Sequence, residues 1–237
     1  MRGKRKAPAG AVFCFALAFL VIAALAVLRI FSLDAPHVQL AAAVAAAILV
    51  WTGASILYEK EEPPRKIMRR ALFVIFAIYL LLLVNFTIFD GHFGRAPSDG
   101  RAALSLADYF KEKGNILPFK MIINQTRGLI NGTYALRHYV VNIAGNLAAF
   151  APFALFLPLL FKRCRRPAVF FAAVTAAILL VEACQLLTRT GSFDVDDYIL
   201  NMLGVAAAYA LLSTGRGRKF KKWITDPEGK DEENNPV

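Results

Sequence analysis

Six apolar runs, each close to the length of a membrane crossing, constrain this chain more than any other feature. They lie at about residues 11–31, 38–58, 71–89, 139–161, 168–187 and 195–212. A helix needs roughly 20 apolar residues to traverse a hydrocarbon core about 30 Å thick. Inside that core backbone N–H and C=O groups find no water, so only helices and closed barrels span it. The runs are continuous in Ala, Leu, Val and Phe rather than alternating with period two, which selects helices. The expectation is an all-α, polytopic integral membrane helical bundle of about six transmembrane helices. It would be a multi-pass protein of the cell membrane, in contact with membrane lipids.

The net charge of +11 raises the question of nucleic acid, and the placement of the charge answers it. Basic residues gather at the N-terminus (Arg2, Lys4, Arg5, Lys6), after the second run (Lys60, Arg65, Lys66, Arg69, Arg70) and after the fourth (Lys162, Arg163, Arg165, Arg166). A further group, Arg216, Arg218, Lys219, Lys221 and Lys222, follows the sixth. The first connection has no such residue and the fifth only Arg189. That alternation is the positive-inside pattern, with both termini cytoplasmic and no nucleic-acid partner implied. Residues 90–137 carry seven Lys and Arg, but long loops translocate largely regardless of charge.

The same reading divides the chain. Residues 1–90 form an N-terminal three-helix membrane region, in which Arg29 snorkels and Pro63 and Pro64 break the turn between spans two and three. The apolar stretch after the basic start is too long for a typical signal-peptide core and reads as an uncleaved anchor. Residues 91–137 form an extracytoplasmic loop with room for one or two interfacial or re-entrant helices, interrupted at Pro118. Residues 138–213 form a three-helix core, and 214–237 are polar and acidic at the end, as a disordered cytoplasmic tail would be. Cys14, Cys164 and Cys184 indicate neither a disulfide framework nor a C-x-x-C metal site. His37 and His92 lack metal-ligand spacing and His138 reads as interfacial, so no metal and no cofactor is assigned.

Polar residues return with helical spacing in the second half. Asn142 and Asn146 follow His138 at i+4 and i+8; Gln185 and Arg189 follow Glu182 at i+3 and i+7; Asn201 and Gly204 follow Asp197 at i+4 and i+7. Three helices thus each carry a polar stripe toward the outer leaflet. A charged group inside the membrane costs a few kcal/mol even on lenient scales, so such groups face inward, pair, and mark sites. The economical arrangement sets Glu182 and the aspartates near Arg189, with Asn and Gln completing the hydrogen bonds. Asp194, beside Gly191 and Ser192, reads as a turn or N-cap acid for span six. Asn142 and Asn146 taken alone also suit plain helix-to-helix hydrogen bonding.

At these residues the chain resembles the VanZ-like family of bacterial membrane proteins. The resemblance runs from "NILPFKMI" (115–122) through "VVNIAGNLAAFAPFALFLPLL" (140–160) and "EACQLLTRTGSFDVDDYILNMLG" (182–204) to about residue 212. Asn142, Asn146, Phe150, Pro152, Glu182, Gln185, Asp196, Asp197, Asn201 and Gly204 stand where the family pattern places them, and Arg189 and Gly191 fit it. The family takes its name from a protein that lowers susceptibility to teicoplanin, a lipoglycopeptide directed at cell-wall precursors.

Three readings follow. In the first, an outward polar pocket binds an amphiphile, either a lipid-linked cell-wall precursor or a lipoglycopeptide. Arg189 would pair with an anionic head group, Asn142, Asn146, Gln185 and Asn201 would hydrogen-bond sugars or amides, and Glu182, Asp196 and Asp197 would take donors. In the second, Glu182 with Asp196 or Asp197 performs acid–base chemistry on such a lipid. An adjacent Asp pair points its side chains about 100° apart on a helix, so the two need not face one site. In the third, the cluster maintains the bundle of a scaffold or transporter subunit.

Overall fold

The computed structural model describes residues 8–30, 35–58, 64–89 and 105–225. Pro63, His92, the start of the long loop, residues 226–237 of the tail and the Arg29 side chain lie outside the described residues. Among the described residues the regular structure is helical: α1 (Ala9–Ile30), α2 (Pro36–Tyr58), α3 (Pro64–Val84), α4 (Leu106–Lys113), α5 (Lys120–Ile130), α6 (Leu136–Ala149), α7 (Phe153–Leu160), α8 (Pro167–Thr188), α9 (Val195–Ser213) and α10 (Gly215–Thr225). Five stretches are long and apolar enough to cross a membrane: Pro36–Tyr58, Lys66–Phe89, Leu136–Leu160, Pro167–Thr188 and Val195–Ser213. Helix α1 adds a shorter apolar stretch, Ala9–Ala24. The protein is an all-α, polytopic helical membrane protein.

The chain divides into two compact units, residues 1–83 with 219–237, and residues 84–218. In the first, α1 and α2 pack along each other through small residues. Ala11, Ala18, Ala43, Ala46 and Ala54 are buried, and a Cβ at Gly53 would stand 3.1 Å from Cys14 and Phe15. Small side chains let helix backbones approach where lipid supplies no hydrophobic drive for association. Val50, Tyr58, Ile67, Met68 and Ala71 complete the core of this unit.

In the second unit, each helix buries one stripe. On α8 it is Phe170, Val174, Ile178, Glu182 and Gln185, apolar until its last turn and a half and polar thereafter. On α9 it is Asp196, Asp197, Leu200, Asn201, Gly204 and Val205, polar first and apolar later. Because α8 ends where α9 begins, both polar segments fall at the same end of the unit.

Three features differ from the sequence reading. The span expected over 139–161 is two helices, since Pro152 has no N–H and disfavours helix in the residue before it. Buried Phe150 occupies the break and packs on Phe153 at 5.3 Å between ring centroids. The segment over 91–137, expected as a loop with room for one or two interfacial or re-entrant helices, contains α4 and α5, which belong to the same unit as α6 to α9. The tail expected to be disordered from 214 is helical over Gly215–Thr225.

Candidate functional site

The turn between α8 and α9 begins at Arg189, which caps α8 in the left-handed conformation (φ 55°). A β-carbon there costs roughly 1–2 kcal/mol relative to glycine, so the position keeps arginine against backbone preference. The carbonyls of Arg189 and Gly191 both accept from the Tyr109 hydroxyl, at 3.1 and 2.9 Å. Tyr109 is buried and comes from α4, which starts at Ser105 with its hydroxyl on the Asp108 N–H. On α8 itself, Gln185 does not turn toward the aspartates: its amide donates to the Thr87 carbonyl at 2.7 Å. That carbonyl sits in a π-helical turn, Asn85–Phe89, at the end of the third span.

Asp194 is the N-cap of α9, as expected, its Oδ1 accepting from Asp196 N–H at 2.8 Å. The same oxygen accepts from the Asn115 side chain at 2.9 Å, and the Asp194 N–H donates to Glu182 Oε2 at 3.2 Å. Asn115 also exchanges backbone hydrogen bonds with Phe193 (2.8 Å) and Val195 (2.9 Å), a one-residue parallel bridge. Burial pushes the Asp194 carboxyl above its ordinary range; the Asp196 N–H and Asn115 amide oppose this, Asp196's charge adds to it, and Lys120 offsets part.

Asp196 is fully buried and serves α5. One carboxylate oxygen accepts from the Phe119 N–H, and the other from Met121 at 2.7 Å and Ile122 at 3.1 Å. These are backbone donors that the first turn of a helix leaves without intrahelical partners, at its positive end. Phe119 itself has φ 66°, an outlying conformation for a bulky residue, held by the hydrogen bond its N–H makes to Asp196. Asp194 and Asp196 thus both lie among backbone donors, at the starts of α9 and α5. Their hydrogen-bond partners among the described residues are backbone N–H groups and Asn115.

Asp197 points elsewhere, the consequence of a 100° step on the helix. Its Oδ1 accepts from Asn146 of α6 at 2.5 Å. The Asn146 amide also reaches Asn142 Oδ1 at 3.1 Å, and Asn201 donates to its own helix at Asp197 O (2.8 Å) and toward Asn146 Oδ1 (3.4 Å). Asn142 ends the ladder by donating to the Met121 sulfur at 3.4 Å. Gly204 permits this contact between α6 and α9: a Cβ there would stand 1.8 Å from the Leu147 carbonyl oxygen. Burial is graded along the ladder. Asp197 and Asn201 are buried, whereas Asn142 and Asn146 are half-buried.

Of the eight residues expected to form one ligand site, seven fall into two groups, and the eighth, Arg189, is the cap of α8. Glu182, Gln185 and Asp196 are engaged by backbone groups of the unit, with Asp194 and Asn115 among them. Asn142, Asn146, Asp197 and Asn201 form a side-chain ladder, and Met121 touches both groups. Sequence reasoning left out Tyr109, Asn115, Met121 and Thr87. Asn115 and Met121 lie in the "NILPFKMI" stretch that carried part of the resemblance, but nothing local in the sequence marks Tyr109 or the Thr87 carbonyl.

Among the described residues no group of three or more His, Cys, Asp or Glu side chains is placed to hold a metal ion. The model of the VanZ/LLP1 family matches residues 76–216, a stretch that contains every residue of both groups. No curated protein and no solved structure matches the chain.

Proposed function

The chain belongs to the VanZ/LLP1 family, and from that premise we propose that it binds the polar head of an amphiphile at the asparagine ladder between α6 and α9. The observation that carries this reading is the Asn142 amide. Its partner is a thioether, a weak acceptor, at 3.4 Å, in a half-buried position beside α5. A ligand carbonyl, hydroxyl or phosphate oxygen is a better acceptor than methionine sulfur and would displace Met121. Half-buried Asn146 then presents a further amide group to a sugar or peptide, with Asp197 and buried Asn201 fixing its orientation. Arg189, kept at a left-handed cap that favours glycine, supplies the cation for an anionic head group.

The ligand class is a lipid-linked cell-wall precursor or a lipoglycopeptide, bound from the outer face of the cell membrane with its acyl chain in lipid. A contribution to lowered teicoplanin susceptibility belongs to this reading. The acid–base alternative draws less support, because Asp196 is fully buried under three backbone donors and Glu182 accepts a backbone N–H. The scaffold reading is favoured for Glu182, Gln185 and Asp196 by those same contacts.

Photo-crosslinkable polyprenyl and lipoglycopeptide probes test the proposal on the purified full-length protein. Label is expected on α6 and α9, and Asn142→Leu should reduce it about tenfold while the protein still accumulates, since the loss of a hydrogen bond to an uncharged ligand group is worth roughly 1 kcal/mol and steric blockage adds to it. Label distributed over all spans, or unchanged in Asn142→Leu, would sink the reading.

A further inference from the structure

Helix α10 follows the last span and, beyond Arg216, lies outside the residues that match the family. Its sequence, GRGRKFKKWIT, carries five cations, Arg216, Arg218, Lys219, Lys221 and Lys222, and no acid. Phe220, Trp223 and Ile224 fall at i, i+3 and i+4, one face of the helix. Phe220 and Trp223 stack with ring centroids 6.2 Å apart and remain about half exposed, at 45% and 52%. Arg218 and Lys222 lie on the opposite face and Lys219 and Lys221 flank the aromatics, with Arg216 alone among them; aromatics bordered and backed by cations are the composition of a helix that lies in a membrane interface.

The turn out of α9 adds a second, independent observation. Thr214 breaks the helix in extended conformation (ψ 167°) and its hydroxyl accepts from the Gly217 N–H at 3.2 Å. A Cβ at Gly217 would stand 2.5 Å from Leu212 Cα and 2.6 Å from the Leu211 carbonyl. The chain therefore turns tightly over Thr214–Gly217, directly at the end of the last span. A helix that begins two residues after a span ends starts at the level of the head groups.

We propose that α10 is an anchor for anionic phospholipid, its Arg and Lys side chains binding head-group phosphates while Phe220 and Trp223 enter the acyl boundary. Lipid is the occupant that fits both faces at once. A soluble polyanion would satisfy the cations and leave the aromatics in water. Surface cations of this kind are each drawn to an anionic leaflet, and salt screens the attraction.

The test uses the full chain in nanodiscs of phosphatidylcholine alone or mixed with phosphatidylglycerol, one of the two lipids carrying brominated acyl chains. Trp223 also packs on Trp51, ring centroids 5.8 Å apart, so its fluorescence is read in Trp51→Phe, where Trp223 is the one remaining tryptophan. At equal mole fraction, brominated phosphatidylglycerol should quench Trp223 several-fold more than brominated phosphatidylcholine. The excess should vanish in about 0.5 M salt and fall at least twofold in Arg216→Gln/Lys219→Gln, a variant of two exposed cations whose thermal unfolding should stay unchanged. Equal quenching by the two lipids would overturn the proposal, as would the absence of quenching by either. Equal quenching is also the result expected if the acidic residues that follow in sequence, Asp226 to Glu233, neutralise the helix instead.

Discussion

Asp196 and Asp197 are neighbours on one helix turn, yet they serve different parts of the molecule. Asp196 faces the segment before α6 and holds the first turn of α5 through three backbone N–H groups. Asp197 faces α6 and orients a row of side-chain amides. In the first region the carboxylate is saturated with donors and shut off from solvent, so its charge fixes structure. In the second, hydrogen bonding weakens stepwise from a buried acid to a half-buried amide on sulfur. Saturated polar groups rigidify a fold; partly satisfied ones are where a ligand gains most by binding. The regions meet at Met121, whose N–H belongs to the first and whose sulfur belongs to the second. On the proposed reading, occupation of the ladder is thereby tied to the position of α5.

The sharpest way to break this comparison is Asp196→Ala. It leaves three backbone donors buried without their acceptor, and a loss of about 3–5 kcal/mol is expected, enough to abolish accumulation in the membrane. Normal abundance of that variant, read by immunoblot of membranes, would reverse the assignment. Gly204→Ala comes next. The 1.8 Å approach to the Leu147 carbonyl forces α6 and α9 apart, and roughly 1–3 kcal/mol should be lost. Thermal unfolding in detergent measures it, and crosslinking to the probes should fall with it because the ladder spans that contact.

Tyr109→Phe removes one hydroxyl from the Arg189 and Gly191 carbonyls and should cost about 1 kcal/mol. That is a shift of roughly 2–4 °C in Tm. Asn142→Ala should change stability by less than about 1 kcal/mol, since it gives up only a weak bond to sulfur and one amide contact, yet it should lose ligand. Asp194 gives the smallest effect and one with a sign. Its folded carboxyl titrates above the ordinary value of 3.8, so the folded protein holds a proton that the unfolded chain releases. The stability this contributes is complete below 3.8 and is lost as pH rises through the folded value. Unfolding midpoints measured upward from pH 4 should fall less steeply in Asp194→Asn than in wild type.

How much of this was legible in the chain varies by residue. The buried stripes of α8 and α9 could be read from spacing, because a period of 3.6 fixes which side chains share a face. Asp194 as a cap could be read from its place just before an apolar helical run. Asn142, Asn146, Asp197 and Asn201 were placed near one another by the same argument. Glu182, Gln185 and Asp196 were also expected to be polar and inward-facing, but the backbone group that each meets was not foreseen. A backbone donor or acceptor has no sequence signature, and those of Phe119, Met121 and Ile122 lie 74–77 residues from Asp196. The short helices α4 and α5 were equally hard to delimit, being too short and too polar to stand out as spans.

By itself the sequence determined that this is a helical membrane protein and where most of its crossings run, because the thickness of a bilayer sets a length and the absence of water sets a composition. It also determined which faces of the last helices are polar. The tertiary structure alone decided how those polar groups are divided, because a carboxylate goes to whichever unsatisfied N–H or amide the fold brings within hydrogen-bonding distance. For Asp196 that is the start of α5, and for Asp197 it is Asn146.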